Sequence, residues 1–145
     1  MGACDPGVIE MKVPCDPKFL SVVRLAVAAA AARAGLAVAE IDDVKVAVSE
    51  ACTNVMEHAF PCGDDLARQT LTVRICVKDA ELRVEVLDEG SGFDPKHLPT
   101  ADIADVTERE GGLGIFLMHG LMDEVRIESA PGSGTRVVLT KRQAR

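Results

Sequence analysis

At 145 residues the chain has the length of one ordinary domain, enough to bury a single core. It is 48% apolar and 27% charged, the balance of a globular protein rather than of a disordered or membrane-embedded one. Sixteen basic against twenty-three acidic residues give a net charge of −7, which disfavours nucleic acid as the main partner, because that binding depends on Lys and Arg neutralising phosphates.

Residues 8–13 alternate apolar and polar side chains, the period of a half-buried strand. Asp16 followed by Pro17 reads as an N-cap and a first helical residue, opening an Ala-rich helix that Gly35 closes as C-cap. A second helix is predicted over about 39–60. Its apolar positions Ile41, Val44, Val48, Ala51, Cys52, Val55 and Ala59 recur at helical spacing, and Pro61 with Gly63 ends it. Two alternating segments follow, with Leu71, Val73, Ile75 and Val77 on one face and Leu82, Val84 and Val86 on one face; residues 78–80 are the turn between them. Residues 88–112, rich in Gly, Pro, Asp and Thr, form a long loop of a length that is usually functional. A short helix over 113–122 and two strands around the turn at 131–135 complete the chain. The order β-α-α-β-β-loop-α-β-β predicts a single domain over 1–145 of the α/β class, a two-layer sandwich. Its sheet is mainly antiparallel, with helices on one face and solvent or a partner on the other.

Cysteines 4, 15, 52, 62 and 76 are odd in number and scattered without a CxxC pair, so reduced thiols are expected rather than a disulfide framework or zinc site. Cys52 and Cys76 read as core or near-core thiols. The longest apolar run, residues 25–32, is too short to span a bilayer, and the first residues lack the pattern of a secretory signal. These features predict a cytoplasmic protein without a membrane segment.

Four stretches carry chemistry. In SEACTNVMEH (49–58), Glu50, Asn54 and His58 recur every four residues and so share one helix stripe. An acid and an amide one turn apart can aim oxygens into a common site, Asn54 toward Mg²⁺ and Glu50 toward an attacking hydroxyl. A lone ExxxN is more often a solvated helix face. LDEGSGF (87–93) places Asp88 at the end of a strand, with Gly90 and Gly92 allowing a sharp turn close to a flat ring; taken alone it is a capped tight turn. Gly111, Gly112, Leu113 and Gly114 lead into a helix whose first N–H groups suit phosphate, or else form a plain hinge. No GK[ST] follows, so this is not a Walker A loop. Thr135, after the glycines at 132 and 134, offers a hydroxyl to a base, or belongs to an ordinary hairpin. His97 and His119 have no liganding neighbours and are expected at the surface.

The order and spacing of these stretches are jointly more specific than any one of them. VSEACTNVMEHAF (48–60), DEGSGFDP (88–95), GGLGIFLMHGLMDEVRIES (111–129) and GTRVVLTK (134–141) resemble the N, G1, G2 and G3 boxes of the GHKL ATPase superfamily. Within it the chain is similar to the anti-sigma-factor serine kinases of the RsbW/SpoIIAB type, over residues 11–141.

That resemblance implies a Bergerat fold binding ATP or ADP with Mg²⁺, Glu50 as catalytic base and Asn54 as the Mg²⁺ ligand. Asp88 would read the adenine amino group, residues 111–114 would hold phosphates under a lid over about 97–111, and His58 either faces the phosphates or is structural. Family lids often carry an Arg just before the glycines; here Glu110 stands at that place and Arg109 precedes it. Arg24 falls where the family carries an Arg that contacts its partners, although an ordinary helix-surface Arg fits equally. The implied partners are an RNA polymerase sigma factor, an anti-anti-sigma (STAS) protein phosphorylated on serine, and a second copy in a homodimer. A same-fold switch protein with little kinase activity is the alternative. A detached histidine-kinase domain is disfavoured, since a strand rather than a phosphoacceptor helix precedes the nucleotide motifs.

Overall fold

A computed structural model of the chain describes residues 7–58, 69–88, 112–129 and 134–144. The described residues form strand β1 (Val8–Pro14), helices α1 (Leu20–Arg33) and α2 (Val38–His58), strands β2 (Thr70–Lys78) and β3 (Glu81–Asp88), helix α3 (Gly112–Leu121), and strands β4 (Glu124–Ser129) and β5 (Thr135–Arg142). The strands make one sheet in the order β1-β2-β3-β5-β4, and every pairing is antiparallel.

Local chemistry places the helix boundaries. Asp16 accepts a hydrogen bond from the Lys18 N–H at 3.1 Å and caps a single 3₁₀ turn, Pro17–Phe19, which runs into α1. The helix predicted to open at Pro17 therefore begins as 3₁₀ and becomes α-helical at Leu20. At its other end Gly35 sits at φ +82°. The Gly35 N–H bonds to the Ala32 carbonyl and the Leu36 N–H to the Ala31 carbonyl, the paired pattern that closes a helix through a left-handed residue. Ala37, with no side-chain cap to offer α2, has its own N–H satisfied by Glu40 Oε1 at 2.8 Å.

The alternation read from the strands sorts them into two faces. Leu71, Val73, Ile75, Leu82, Val84, Val86, Val137 and Leu139 point to the helix layer and are buried there with Val23 and Val27 of α1, Val44, Val48 and Cys52 of α2, and Met118 of α3. Fully burying a side chain the size of Leu82 or Met118 contributes roughly 1.5–3 kcal/mol.

The opposite face is a lattice of ion pairs. Arg74 meets Glu10 at 2.7 Å; Arg136 lies between Glu85 and Glu128; Arg142 lies between Glu81 at 2.9 Å and Glu124 at 3.2 Å. This face is thus polar and paired within the sheet itself. Cys76 belongs to it, half-buried across from Arg83, and not to the core side. The even-numbered positions of β2 all face this way, so the strand's own parity excludes Cys76 from the core.

Among the described residues no helix is long and apolar enough to cross a membrane.

Candidate functional site

Helix α2 buries Val44, Ala47, Val48, Ala51, Cys52 and Val55 against the sheet and its neighbours. That stripe fixes the rotation of the helix and leaves Glu50 and Asn54 half-buried on its flank, facing α3. The meeting point is Gly114, the third residue of α3. A Cβ built on Gly114 would stand 2.7 Å from Glu50 Oε2 and 3.6 Å from Asn54 Oδ1. No real Cβ tolerates the first distance, so the close approach of helix to acid depends on glycine.

The first turn of a helix carries N–H groups without intrahelical acceptors and the positive end of the helix dipole. An acid oxygen and an amide oxygen therefore converge on a place already built for negative charge. The Leu113 side chain is 60% exposed. Gly112 begins the same helix.

A second cluster lies at one end of the sheet. Asp88 ends β3, Thr135 begins β5, and the two stand opposite each other on the helix-facing side, both buried. The Thr135 hydroxyl is 2.8 Å from Ser129 Oγ, and Ser129 donates to the Gly134 carbonyl at 3.0 Å. With its proton so used, Ser129 must accept from Thr135, which leaves the Thr135 oxygen as an acceptor beside the Asp88 carboxylate. An open cavity of about 410 Å³ adjoins them, lined also by Leu87, Gly134 and Arg136.

Cys15 and Cys52 tie this end of the sheet to α2. Burial, and then the negative charge of Asp88, push the Cys15 thiol up to about 11. Burial, then Cys15, push Cys52 up to about 12, with the Arg24 charge acting the other way. Both are neutral thiols at physiological pH and so not nucleophiles.

On the outer side of α2, Arg24 of α1 donates to Ser49 Oγ at 3.2 Å, and Ser49 donates to the Lys45 carbonyl at 2.7 Å. Arg24, predicted as a surface contact residue, is thereby held one residue away from Glu50. Behind the site Lys141, only 13% exposed, donates to the Leu121 carbonyl at 2.5 Å and lies 3.4 Å from Asp43. It fastens the C-terminal end of α3 to α2.

Of the predicted site residues, the structure brings Glu50, Asn54 and Gly114 into one group, and Asp88 and Thr135 into another. Gly90, Gly92, Arg109, Gly111, His97 and the side chain of His58 lie outside the described residues. His119 is exposed, as expected for a residue without partners in sequence. Cys15 and Lys141 carried no motif that would single them out; only their tertiary neighbours place them beside the site. Among the described residues no group of three or more His, Cys, Asp or Glu is arranged to hold a metal. A cation here would depend on an amide oxygen such as that of Asn54 together with phosphate oxygens, and the oxygen-rich, glycine-lined space at Gly114 suits a hard cation of that kind.

Comparison with known proteins gives the family of the chain. Residues 13–141 match the family model described as "Histidine kinase-like ATPase domain". The chain is 40% identical over 141 residues to the serine-protein kinase RsbW of Bacillus pumilus (strain SAFR-032), covering 92% of this chain and 85% of that one. Its identity to the protein of the same name from Bacillus subtilis (strain 168) is 39%, with 92% and 84% covered. Among solved structures, one of RsbU and RsbW domains from Mycobacterium tuberculosis superposes with a TM-score of 0.67 at 22% identity, over 95% of this chain and 33% of that one, a likeness of fold. The chain belongs to the histidine kinase-like ATPase family, and within it to the RsbW serine-protein kinases, which use ATP.

Proposed function

We propose that the chain is a cytoplasmic anti-sigma factor that binds an RNA polymerase sigma factor and, with Mg-ATP, phosphorylates a serine on an anti-anti-sigma protein of the STAS type. The observation that supports this most is the convergence of Glu50, Asn54 and the N-terminal turn of α3 at Gly114.

In this reading the phosphates lie against the main chain of Gly111, Gly112, Leu113 and Gly114, with Asn54 as the protein ligand to Mg²⁺. The metal, when bound, neutralises charge on the phosphate oxygens. Asp88 and Thr135 accept from the adenine amino group, Gly90 and Gly92 let the backbone approach the ring, and Arg109 and His58 lie toward the phosphates. Glu50 holds the acceptor serine and takes its proton as the serine oxygen bonds to the γ-phosphorus and the bond to the bridging oxygen of ADP breaks. The phosphoserine so formed carries about −1.5 to −2 charge close to Glu50, which weakens the hold on the product. Arg24, held beside Glu50 by Ser49, is a contact for both protein partners. A homodimer is part of the same reading.

Incubation with labelled ATP and a panel of STAS proteins tests the proposal. Transfer to a serine is expected, with Glu50→Gln reducing it by about 10²–10⁴-fold while Mg-ATP affinity by calorimetry stays within a few fold. Transfer by Glu50→Gln at the normal rate removes the assigned base, and absence of transfer from the unaltered protein removes the kinase–antagonist pairing.

A further inference from the structure

The stripe of α2 that leads up to Glu50 lines an open groove. Asp42, Lys45, Val46 and Ser49 follow one another at helical spacing along one side of the helix and, with Arg24 of α1 and Glu50, line an open groove of about 370 Å³. Glu50 is common to two places: it ends this groove, and its carboxylate stands against Gly114 at the phosphate-facing turn of α3. An acceptor hydroxyl that arrives from solvent along the groove meets the acid before it meets the nucleotide.

Among the described basic residues, Lys12, Arg24, Arg33, Lys45, Lys78 and Arg83 have no carboxylate within 4.0 Å, and of these six Arg24 and Lys45 line the groove that ends at Glu50. Lys18, Arg74, Arg126, Arg136, Lys141 and Arg142 each have a carboxylate within 4.0 Å. Among the described residues Lys45 has none, although Asp42 lies only three positions before it, and Arg24 is bound by a neutral hydroxyl. Two cations without counter-ions thus flank the approach to Glu50 in a chain of net charge −7. Half-exposed Val46, at 43%, gives the same stretch an apolar contact.

Resting on the kinase reading above, we infer that Lys45 determines acceptor specificity by binding a carboxylate of the STAS protein close to its phosphorylated serine. The spacing follows from geometry. Lys45 and Glu50 are separated by about 7.5 Å of helix rise, and an extended segment advances roughly 3.3 Å per residue, so the carboxylate stands about two residues from the serine. Lys45 touches neither the nucleotide nor the transferred group; it acts on the grip for the acceptor.

The test uses the full chain and a STAS protein that it labels from ATP. For Lys45→Glu, the KM for that acceptor rises tenfold or more, kcat stays within about twofold, and the Kd for Mg-ATP is unchanged. Lys45→Gln falls between. The KM of the unaltered protein rises as NaCl increases from 0.05 to 0.3 M, which are chosen assay conditions on the order of those over which exposed charges become screened. Changing the acceptor carboxylate nearest the serine to Lys restores a low KM to Lys45→Glu alone. An unchanged KM in Lys45→Glu overturns this inference and leaves the kinase reading intact, as does a KM change that the charge swap fails to reverse. If the unaltered protein binds Mg-ATP but labels no STAS protein, the kinase–antagonist reading falls and this inference falls with it.

Discussion

Gly114 shows how one missing side chain can permit a close approach between two helices. The atom that a Cβ at this position would strike is Glu50 Oε2, the free end of a flexible side chain, so Gly114→Ala should fold. Helix propensity even favours Ala by about 1 kcal/mol in a helix interior. The carboxylate has to move aside instead, and a displacement of about 1 Å at a reacting group can reduce rate on the order of 10²-fold. The expected outcome is a Tm at or above that of the parent, with phosphoryl transfer lowered about 10²-fold; a transfer rate equal to the parent's would separate Gly114 from Glu50 function. The thiols make the second residue-scale case. Cys15 and Cys52 stay protonated in the folded chain up to about 11 and about 12, against 9.0 for an ordinary thiol. Above pH 9 the unfolded chain therefore binds fewer protons than the folded one. The stability these thiols confer is complete below pH 9 and declines as pH rises through 11 to 12. Denaturant titrations from pH 8 to 11 should show that decline, and Cys15→Ala/Cys52→Ala should flatten it. At pH 8, alkylation followed by peptide mapping should modify half-buried Cys76 well before either of them.

Each element carries its own boundary chemistry. Gly35 ends α1 because the left-handed conformation there needs no Cβ, and the chain supplies Gly at that position. The β2–β3 turn follows the same rule less well. Asp79 and Ala80 stand at φ 53° and 61°, a two-residue turn with both residues left-handed. Asp accepts that conformation through its short polar side chain, whereas Ala pays roughly 1 kcal/mol or more for it. Ala80→Gly is therefore expected to stabilise the protein by about 1 kcal/mol, a Tm increase of about 3 °C for a chain of this size, measured by calorimetry. A fall in Tm would mean that the turn differs from the one described. Helix α3 depends on a contact made far along the chain, since Lys141 of β5 caps its last turn at the Leu121 carbonyl and faces Asp43 of α2. Sheet, α2 and α3 are thereby held in one frame.

Among the described residues the sheet has one face packed against the helices and one face turned away from them. The outer sheet face satisfies its arginines with its own glutamates, and exposed pairs of that kind contribute about 0–1 kcal/mol each, so they serve solubility more than stability. Nucleotide acts differently, because it binds only the folded chain. At one hundred times its Kd, Mg-ATP should add about 2.7 kcal/mol to stability, which raises Tm by about 8 °C. Thermal scans with and without Mg-ATP check this, with Asn54→Ala expected to lose most of the shift. An unaltered protein whose Tm ignores Mg-ATP would contradict nucleotide binding at this site.

Much of this was legible in the linear chain because its signals are local. Period-2 alternation set the strand faces, helical spacing set the buried side of α2, Asp16 and Gly35 marked helix ends through their capping chemistry, and the turn at 78–80 showed as the break between two alternating runs. The acid–amide pair of α2 was visible for the same reason: residues four apart on a helix are neighbours whatever surrounds them. What distance along the chain conceals is which surfaces meet. That Gly114 closes on Glu50, that Cys15 lies beside Asp88, that Lys141 secures α3, and that Lys45 and Arg24 share a groove ending at the acid are matters of packing between elements tens of residues apart. Those contacts are decided by how the core fills, a property of the folded whole that no single segment encodes.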